Sequence, residues 1–526
     1  MSPTQMPTAS RRPRLWEAMF HLRREETGPV LIAALFFFFL LTALMLLRPA
    51  RDALGLAHGI ESVRSLIVVT AVVTLAMNPL FGWVVSRLKR LQFIGATYGF
   101  LVLALVGFWG LMRFAPSAVS QASSQVFYIW FNVFNLFVTM VFWALLADRF
   151  TSDQGKRFFA LIAVGGTLGA IFGPWLTSQL AQPLGTPSLL LVAGGFLLLG
   201  MLAAWLLLWI APDRTTDTDV ATSSRADESE RIGGSAWAGV LSVFRSPYLI
   251  GVAGYVMLTA VMVTFVYFTR LQMVAAIADD LDTRAAILGK IDMWTHVAVL
   301  TLQLTLAGRI IKRFGLGVTL AMLPVTTAFG FIGLAIYGSF LGLMLLEVGT
   351  RAVQRGIAQP AREALFTVVD RQDKYKAKAL IDTFVYRSGD VAGAQAEGAL
   401  GRLGLAMGGL VSVVLPLALV WGVLALWLGR AQFRRAAQLP ASAAPADSDG
   451  IHDGAVLSVS HAATSPHPTD TPRTIQAQGG AETLVSPEIA CVQREHQEHP
   501  SRTRRYSGTL QPPGTRLGAQ AHKSIP

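Results

Sequence analysis

Apolar residues fall in blocks of about twenty along most of the first 430 positions, separated by short polar connections. Blocks near 29–48, 65–86, 93–112, 125–147, 158–180 and 188–210 are followed, after a polar interval, by blocks near 248–270, 285–308, 317–338, 341–367, 378–402 and 406–429. About twenty helical residues cross the ~30 Å hydrocarbon core of a bilayer. The pattern predicts an all-α membrane protein of about 12 transmembrane helices in two six-helix halves. Hydropathy alone supports ten of them, because charged residues interrupt the tenth and eleventh.

The polar intervals divide the chain. Residues 1–28, with Arg11, Arg12, Arg14, Arg23 and Arg24, read as a cytoplasmic N-terminal segment before a retained first helix, since the following apolar run is longer than a signal-peptide core. The first half spans 29–211. Residues 212–247, rich in Thr, Ser, Asp and Glu, form a cytoplasmic linker, and 248–430 form the second half. Residues 431–526 lack any run long enough to bury and are expected to be a disordered cytoplasmic tail.

Composition supports this class. The chain of 526 residues is 53% hydrophobic and 14% charged, too apolar for a water-soluble protein of its size. A formal net charge of +12 raises nucleic acid as a partner. The cations, however, recur in short clusters between apolar blocks and form no single patch, which excludes that class. The single cysteine, Cys491, lies in the tail and permits neither an intrachain disulfide nor a cysteine metal site.

Those clusters orient the chain. Arg87, Lys89 and Arg90, then Arg149, Lys156 and Arg157, occupy the second and fourth connections; Arg309, Lys312 and Arg313, then Arg371, Lys374, Lys376 and Lys378, occupy the eighth and tenth. Positive residues stay on the cytoplasmic side, so both termini are expected there. Gly82-Trp-Val-Val-Ser-Arg-Leu-Lys-Arg90 has a counterpart in Gly308-Arg-Ile-Ile-Lys-Arg-Phe-Gly315, and Asp148-Arg149 echoes Asp370-Arg371. Equivalent loops in two halves resemble the parallel repeat of major facilitator transporters, with Ser86 where their signature has an acid.

Charge at membrane depth costs several kcal/mol unless it pairs or faces water, so each ionisable residue within a span needs a reason. Arg48, Arg51 and Asp52 share a helical face at the outer end of span one, as a binding group or an interface marker. Asn132 and Asn135 in span four can hold a polar solute or join helices. Gly165, Gly166, Gly169 and Gly173-Pro174 in span five permit close helix approach, and resemble the span-five signature of major facilitator antiporters. Lys290, Asp292 and His296 fall early in span eight; Glu347, Arg351 and Arg355 form a stripe along span ten. Glu347 can neutralise Arg351, whereas Arg355 needs a partner from another helix. Span eleven carries Asp382, Arg387, Asp390 and Glu397, with Arg387 and Asp390 spaced to pair. The surplus is positive and suits an anionic solute, because guanidinium matches carboxylate and phosphate oxygens. Asp292, Glu347, Asp390 and Glu397 are candidates for proton or ion coupling. No P-loop, metal-binding histidine pair or nucleophile elbow appears, so the reading is secondary transport, with no enzymatic activity, cofactor or metal expected.

Three stretches carry a family resemblance: LLRPARDALG from Leu46, REALFTVVDRQDKYKAKALIDTF from Arg362 with Tyr386-Arg387-Ser388-Gly389, and FYIWFNVFNLFVTMVFWALLADR from Phe127. They resemble the ATP/ADP antiporters of plastids and intracellular bacteria, a divergent branch of the major facilitator superfamily. The resemblance implies nucleotide or other organophosphate exchange by a monomeric transport unit in a bacterial inner membrane. It puts Arg51 and Arg387 where the family has lysines, and Asn132 near a position where it has a glutamate. The rival readings are an efflux pump, expected to line its cavity with aromatics and acids, and a non-transporting sensor or assembly protein whose tail binds a partner.

Overall fold

A computed structural model describes residues 24–85, 90–150, 152–210, 242–404 and 407–438. Most of the expected linker, the tail beyond 438 with Cys491, residues 1–23 and the Ser86, Arg87 and Lys89 connection lie outside the described residues.

The described residues form twelve membrane-length helical units. In the first half these are α1 (Arg24–Leu56), α2 (Ile60–Val85), α3 (Arg90–Phe114), α4 (Ser117–Arg149), α5 (Ser152–Leu184) and α6 (Leu189–Ile210). The second half has α7 (Pro247–Ile277), α8 (Leu281–Thr305) and α9 (Ala307–Tyr337). Next come α10, built from Phe340–Val353, a π-turn at Gln354–Ala358 and Gln359–Ala364, and α11, built from Arg371–Leu380, a π-turn at Ile381–Val385 and Tyr386–Arg402. Last is α12 (Met407–Gln438). Ten are long and apolar enough to cross a membrane by length and composition alone; α10 and α11, each built from shorter charged pieces, are the two outside that set.

Local chemistry explains the breaks. Gly59, at φ 87, turns α1 into α2, and Gly338, at φ 54, ends α9. The Asp280 carboxylate accepts the Thr283 amide at 2.7 Å and caps α8. That backbone hydrogen bond holds this carboxyl below the usual carboxylate range. The basic segment 308–314 is helical, and Gly315, at φ 73, separates it from the membrane portion of α9. α12 runs on to Gln438, so the stretch containing Arg430, Arg434 and Arg435 is helix beyond the apolar block.

Glycine sets the packing of α1 on α5. A Cβ at Gly165, Gly169 or Gly173 would stand 2.1, 2.4 or 2.6 Å from the backbone oxygens of Ala34, Phe38 and Thr42. The spacing of four keeps these glycines on one stripe, the small-residue packing of membrane helices. The second half repeats the device: Gly389 and Gly393 of α11 lie against the backbone of Met257 and Val261 on α7. Gly169→Val is expected to separate α1 from α5 and cost about 2–4 kcal/mol, as overpacking against rigid backbone does. Thermal unfolding in detergent checks it; an unchanged midpoint would show that α1 can move aside.

Exposed Leu202, Trp205, Trp209, Phe329, Leu345 and Leu419 face outward, as a lipid-facing surface requires. Charged residues gather where the halves meet.

Candidate functional site

The halves touch mainly through α5 with α8, α1 with α8 and α2 with α11. The side-chain contacts lie toward the end where α1 runs into α2 and α7 into α8. Gln182 of α5 donates to Thr283 at 3.1 Å, and the Thr186 amide donates to Asp282 at 2.6 Å. Gly289 of α8 lets its helix approach the Pro174 carbonyl of α5, which a Cβ would meet at 2.8 Å.

Behind this rim, Arg64 of α2 donates through Nε (3.0 Å) and Nη2 (2.7 Å) to Glu397 of α11. Gln272 of α7 donates to the other Glu397 oxygen at 2.7 Å, and Arg64 also pairs with Glu61. Both members of the Arg64–Glu397 pair are buried. Being hydrogen-bonded on both carboxylate oxygens, Glu397 is fully used in holding the halves together.

Deeper lies Arg270 of α7, with no exposed surface. Its guanidinium donates to Asp52 of α1 at 2.5 Å and Asp292 of α8 at 2.7 Å, and stands 3.5 Å from Glu347 of α10. One cation thereby ties three carboxylates from both halves. Arg51 pairs with Asp52, and its guanidinium carbon lies 4.6 Å from the Tyr128 ring centre and 5.3 Å from that of Phe131. Tyr267 donates to Asp52 at 3.0 Å and shares a 3.1 Å hydrogen bond with Tyr128 across the halves.

Arg48, Arg351 and Arg355 follow. Arg351 donates to Glu347 through Nε at 3.1 Å, while Arg48 reaches Asp292 only at 3.9 Å. Arg355 donates to His296 Nε2 at 3.2 Å, and His296 Nδ1 lies 2.8 Å from the Asp292 carbonyl. Guanidinium can only donate, so Nε2 is the acceptor, Nδ1–H faces the carbonyl and the imidazole is neutral. Arg355 thus finds the partner outside its helix that its spacing demanded, but an uncharged one. The three guanidinium groups stand close enough to repel one another. Five guanidinium groups (Arg48, Arg51, Arg270, Arg351 and Arg355) face three carboxylates, a surplus of two positive charges.

The remaining candidates fall around this column. Arg387 and Asp390 pair at 3.3 Å. The Asn132 side chain donates to the Tyr128 carbonyl of its own helix at 3.1 Å, so that amide does not join helices, and Asn135 is exposed one turn further along the Tyr128 face. Lys290 is exposed with Trp294 on the face of α8 opposite Asp292, apart from the column. Arg270 and Arg64 escape a reading by apolar blocks. The blocks end at 270 and begin at 65, whereas α7 continues to Ile277 and α2 begins at Ile60, which draws both residues inside. Arginine among buried aromatics in Tyr-Phe-Thr-Arg270 was the available signal.

Twelve helices in two halves, meeting around a column of charge, form a multi-pass membrane protein with a major-facilitator-like fold. The sequence profile of the Major Facilitator Superfamily matches residues 110–353. In structure, the chain resembles the nucleoside transporter NupG (TM-score 0.51, 15% identity, covering 78% of this chain and 100% of that one). It also resembles a bacterial homolog of the human lysosomal transporter Spinster (TM-score 0.51, 12% identity, 79% and 99% covered). More narrowly, the chain is similar in sequence to ADP,ATP carrier proteins. ADP,ATP carrier protein 1 of Chlamydia muridarum is 24% identical over 388 residues, 67% of this chain and 71% of the relative. ADP,ATP carrier protein 2, chloroplastic, of Arabidopsis thaliana is 21% identical over 350 residues, covering 60% and 54%.

Proposed function

We propose that the protein is a secondary transporter that moves an organic anion across a bacterial inner membrane by alternating access, with both termini in the cytoplasm. Nucleotide or organophosphate exchange is the reading that its relatives favour. The observation that carries the anion is the arginine surplus between the halves: Arg48 from the first, Arg351 and Arg355 from the second. Like charges at membrane depth are unfavourable unless a counter-charge joins them, and guanidinium forks bind phosphate or carboxylate oxygens two at a time. An anion that neutralises the cluster draws the halves together around it.

Arg51 and Asp52 position this site, their charges being engaged with each other and with Arg270. Arg387, paired with Asp390, lies in the wall of the pocket that Gln354 of α10 also lines. By loop charge, the end at which the contacts of α5 with α8 and of α2 with α11 lie faces outward. Asp292 and Glu347 serve the network, and the exchange-driven cycle needs no proton from them.

The test is uptake into proteoliposomes holding the full chain, with labelled nucleotides, phosphate esters and carboxylates. Arg355→Ala is expected to lower anion uptake about tenfold or more, as loss of a charge-assisted hydrogen bond does. Arg355→Lys should retain part of it, since the charge persists without the fork. Uptake indifferent to Arg355, Arg351 and Arg48 together would overturn the assignment.

A further inference from the structure

Beyond the arginine cluster, between the π-turns of α10 and α11, the second half lines an open pocket of about 260 Å³. It adjoins the cluster directly, because Gln354 in its wall lies between Arg351 and Arg355 on the same helix. Tyr255 and Tyr386 contribute ring surface, and the Tyr255 hydroxyl is already spent on the Leu320 carbonyl at 3.0 Å. Leu323 and Ala358 add apolar wall, Thr259 donates to the Tyr255 carbonyl and Arg387 is paired with Asp390, but three wall side chains keep unused polar atoms. Gln354 Oε1, both Asp382 oxygens and Arg362 Nε have no hydrogen-bond partner among the described residues. Asp382 is about nine-tenths buried; Arg362 Nη2 stands 3.3 Å from its Oδ1, an ion pair without an aligned hydrogen bond.

Buried polar groups are normally hydrogen-bonded, and an unmatched carboxylate is the costliest exception. Here three acceptors and one donor await a complement. A phosphate, which offers only acceptors, is the wrong guest. A planar heterocycle whose amino group sits beside a ring nitrogen is the right one. Its N–H bonds meet Asp382 and Gln354, its ring nitrogen meets Arg362 Nε, and its faces lie against the tyrosines. The terminal torsion of an aspartate is soft, so a small rotation turns a carboxylate oxygen from the wall toward the guest.

We propose that this cavity is the specificity pocket of the transporter. It reads the amino-bearing base of a nucleotide through Asp382 and Gln354 while the arginine cluster holds the phosphate end. The inference rests on the anion-transport reading above and adds the chemistry of the solute's uncharged part.

The experiment is competition against labelled ATP uptake in proteoliposomes by unlabelled ATP and by its 6-deamino analogue, purine riboside triphosphate. In the unaltered chain ATP is expected to compete at about tenfold lower concentration, because a site built to bond an amino group rejects the analogue lacking it. Asp382→Asn and Gln354→Leu should each bring that ratio toward one. The ratio, not the rate, is the readout, so a variant with fewer active molecules still reports. Gln354→Leu leaves the Asp382–Arg362 pair in place should Asp382→Asn fail to fold. A ratio near one in the unaltered chain, or one that neither variant moves, overturns the pocket and leaves anion transport standing. Uptake of phosphate esters or carboxylates but of no nucleotide does the same. Failure to move any anion, with no effect of Arg355→Ala, overturns both.

Discussion

Arg270→Met is expected to destabilise the protein by roughly 3–5 kcal/mol, the range for removing one partner of a buried ionic network. The side chain is fully buried and serves Asp52 and Asp292 at hydrogen-bond distance, with Glu347 at 3.5 Å. Methionine fills much of the volume but leaves Asp292 with Arg48 alone, at 3.9 Å, and Asp52 with Arg51 alone. A lower midpoint of thermal unfolding, with loss of folded monodisperse protein in detergent, is the measurement. Adding Asp292→Asn to Arg270→Met should recover part of the stability, since it removes the carboxylate that lost its partner and leaves Asp52 with Arg51 and Glu347 with Arg351. Transport should stay lost, because the recovered protein no longer links α1, α7 and α8 by charge. If Arg270→Met unfolds like the unaltered chain, the network is not what joins the halves at this depth.

Glu397→Gln is expected to shift the resting conformation rather than the fold. Glu397 accepts two hydrogen bonds from Arg64 and one from Gln272, and it is the contact by which α11 holds α2. Glutamine keeps the shape but loses the charge, and Arg64 retains Glu61 on its own helix. A charge-assisted pair is worth about 1.5–3 kcal/mol, so the population opened at this end should rise roughly tenfold or more. A cysteine at Ile60, in the wall of a cavity of about 430 Å³ at the same end, reports it once Cys491 has been replaced by serine. Its labelling by a membrane-impermeant maleimide should speed up by a similar factor in Glu397→Gln. Equal rates would mean that the α5–α8 contact alone holds the seal.

Both residues show why charge in a membrane protein is legible in part. Glu347 and Arg351 were readable as a pair because a spacing of four brings them together on one helix. Arg387 and Asp390, three apart, were readable for the same reason. The need of Arg355 for a partner was also readable, but not that the partner is His296, which lies on another helix. Arg64 and Arg270 went unassigned, because the apolar blocks begin at 65 and end at 270. The folded chain extends those helices by a turn or two, since the charges have partners to receive them.

The chain's own pattern of apolar blocks, basic connections and glycine stripes determined twelve helices, two halves and a charged seam. These follow from local rules: a bilayer demands about twenty apolar residues per crossing, and helical spacing decides which residues share a face. The tenth and eleventh helices, hardest to recognise by hydropathy, are the ones whose π-turns border the cavity. Only the tertiary structure decided which charges meet: that Arg270 gathers Asp52, Asp292 and Glu347, that Arg64 finds Glu397 across 333 positions of sequence, and that Lys290 stands apart. Such pairings depend on the rotation and depth of whole helices against one another. Packing across the halves sets both, and no spacing within a single helix encodes them.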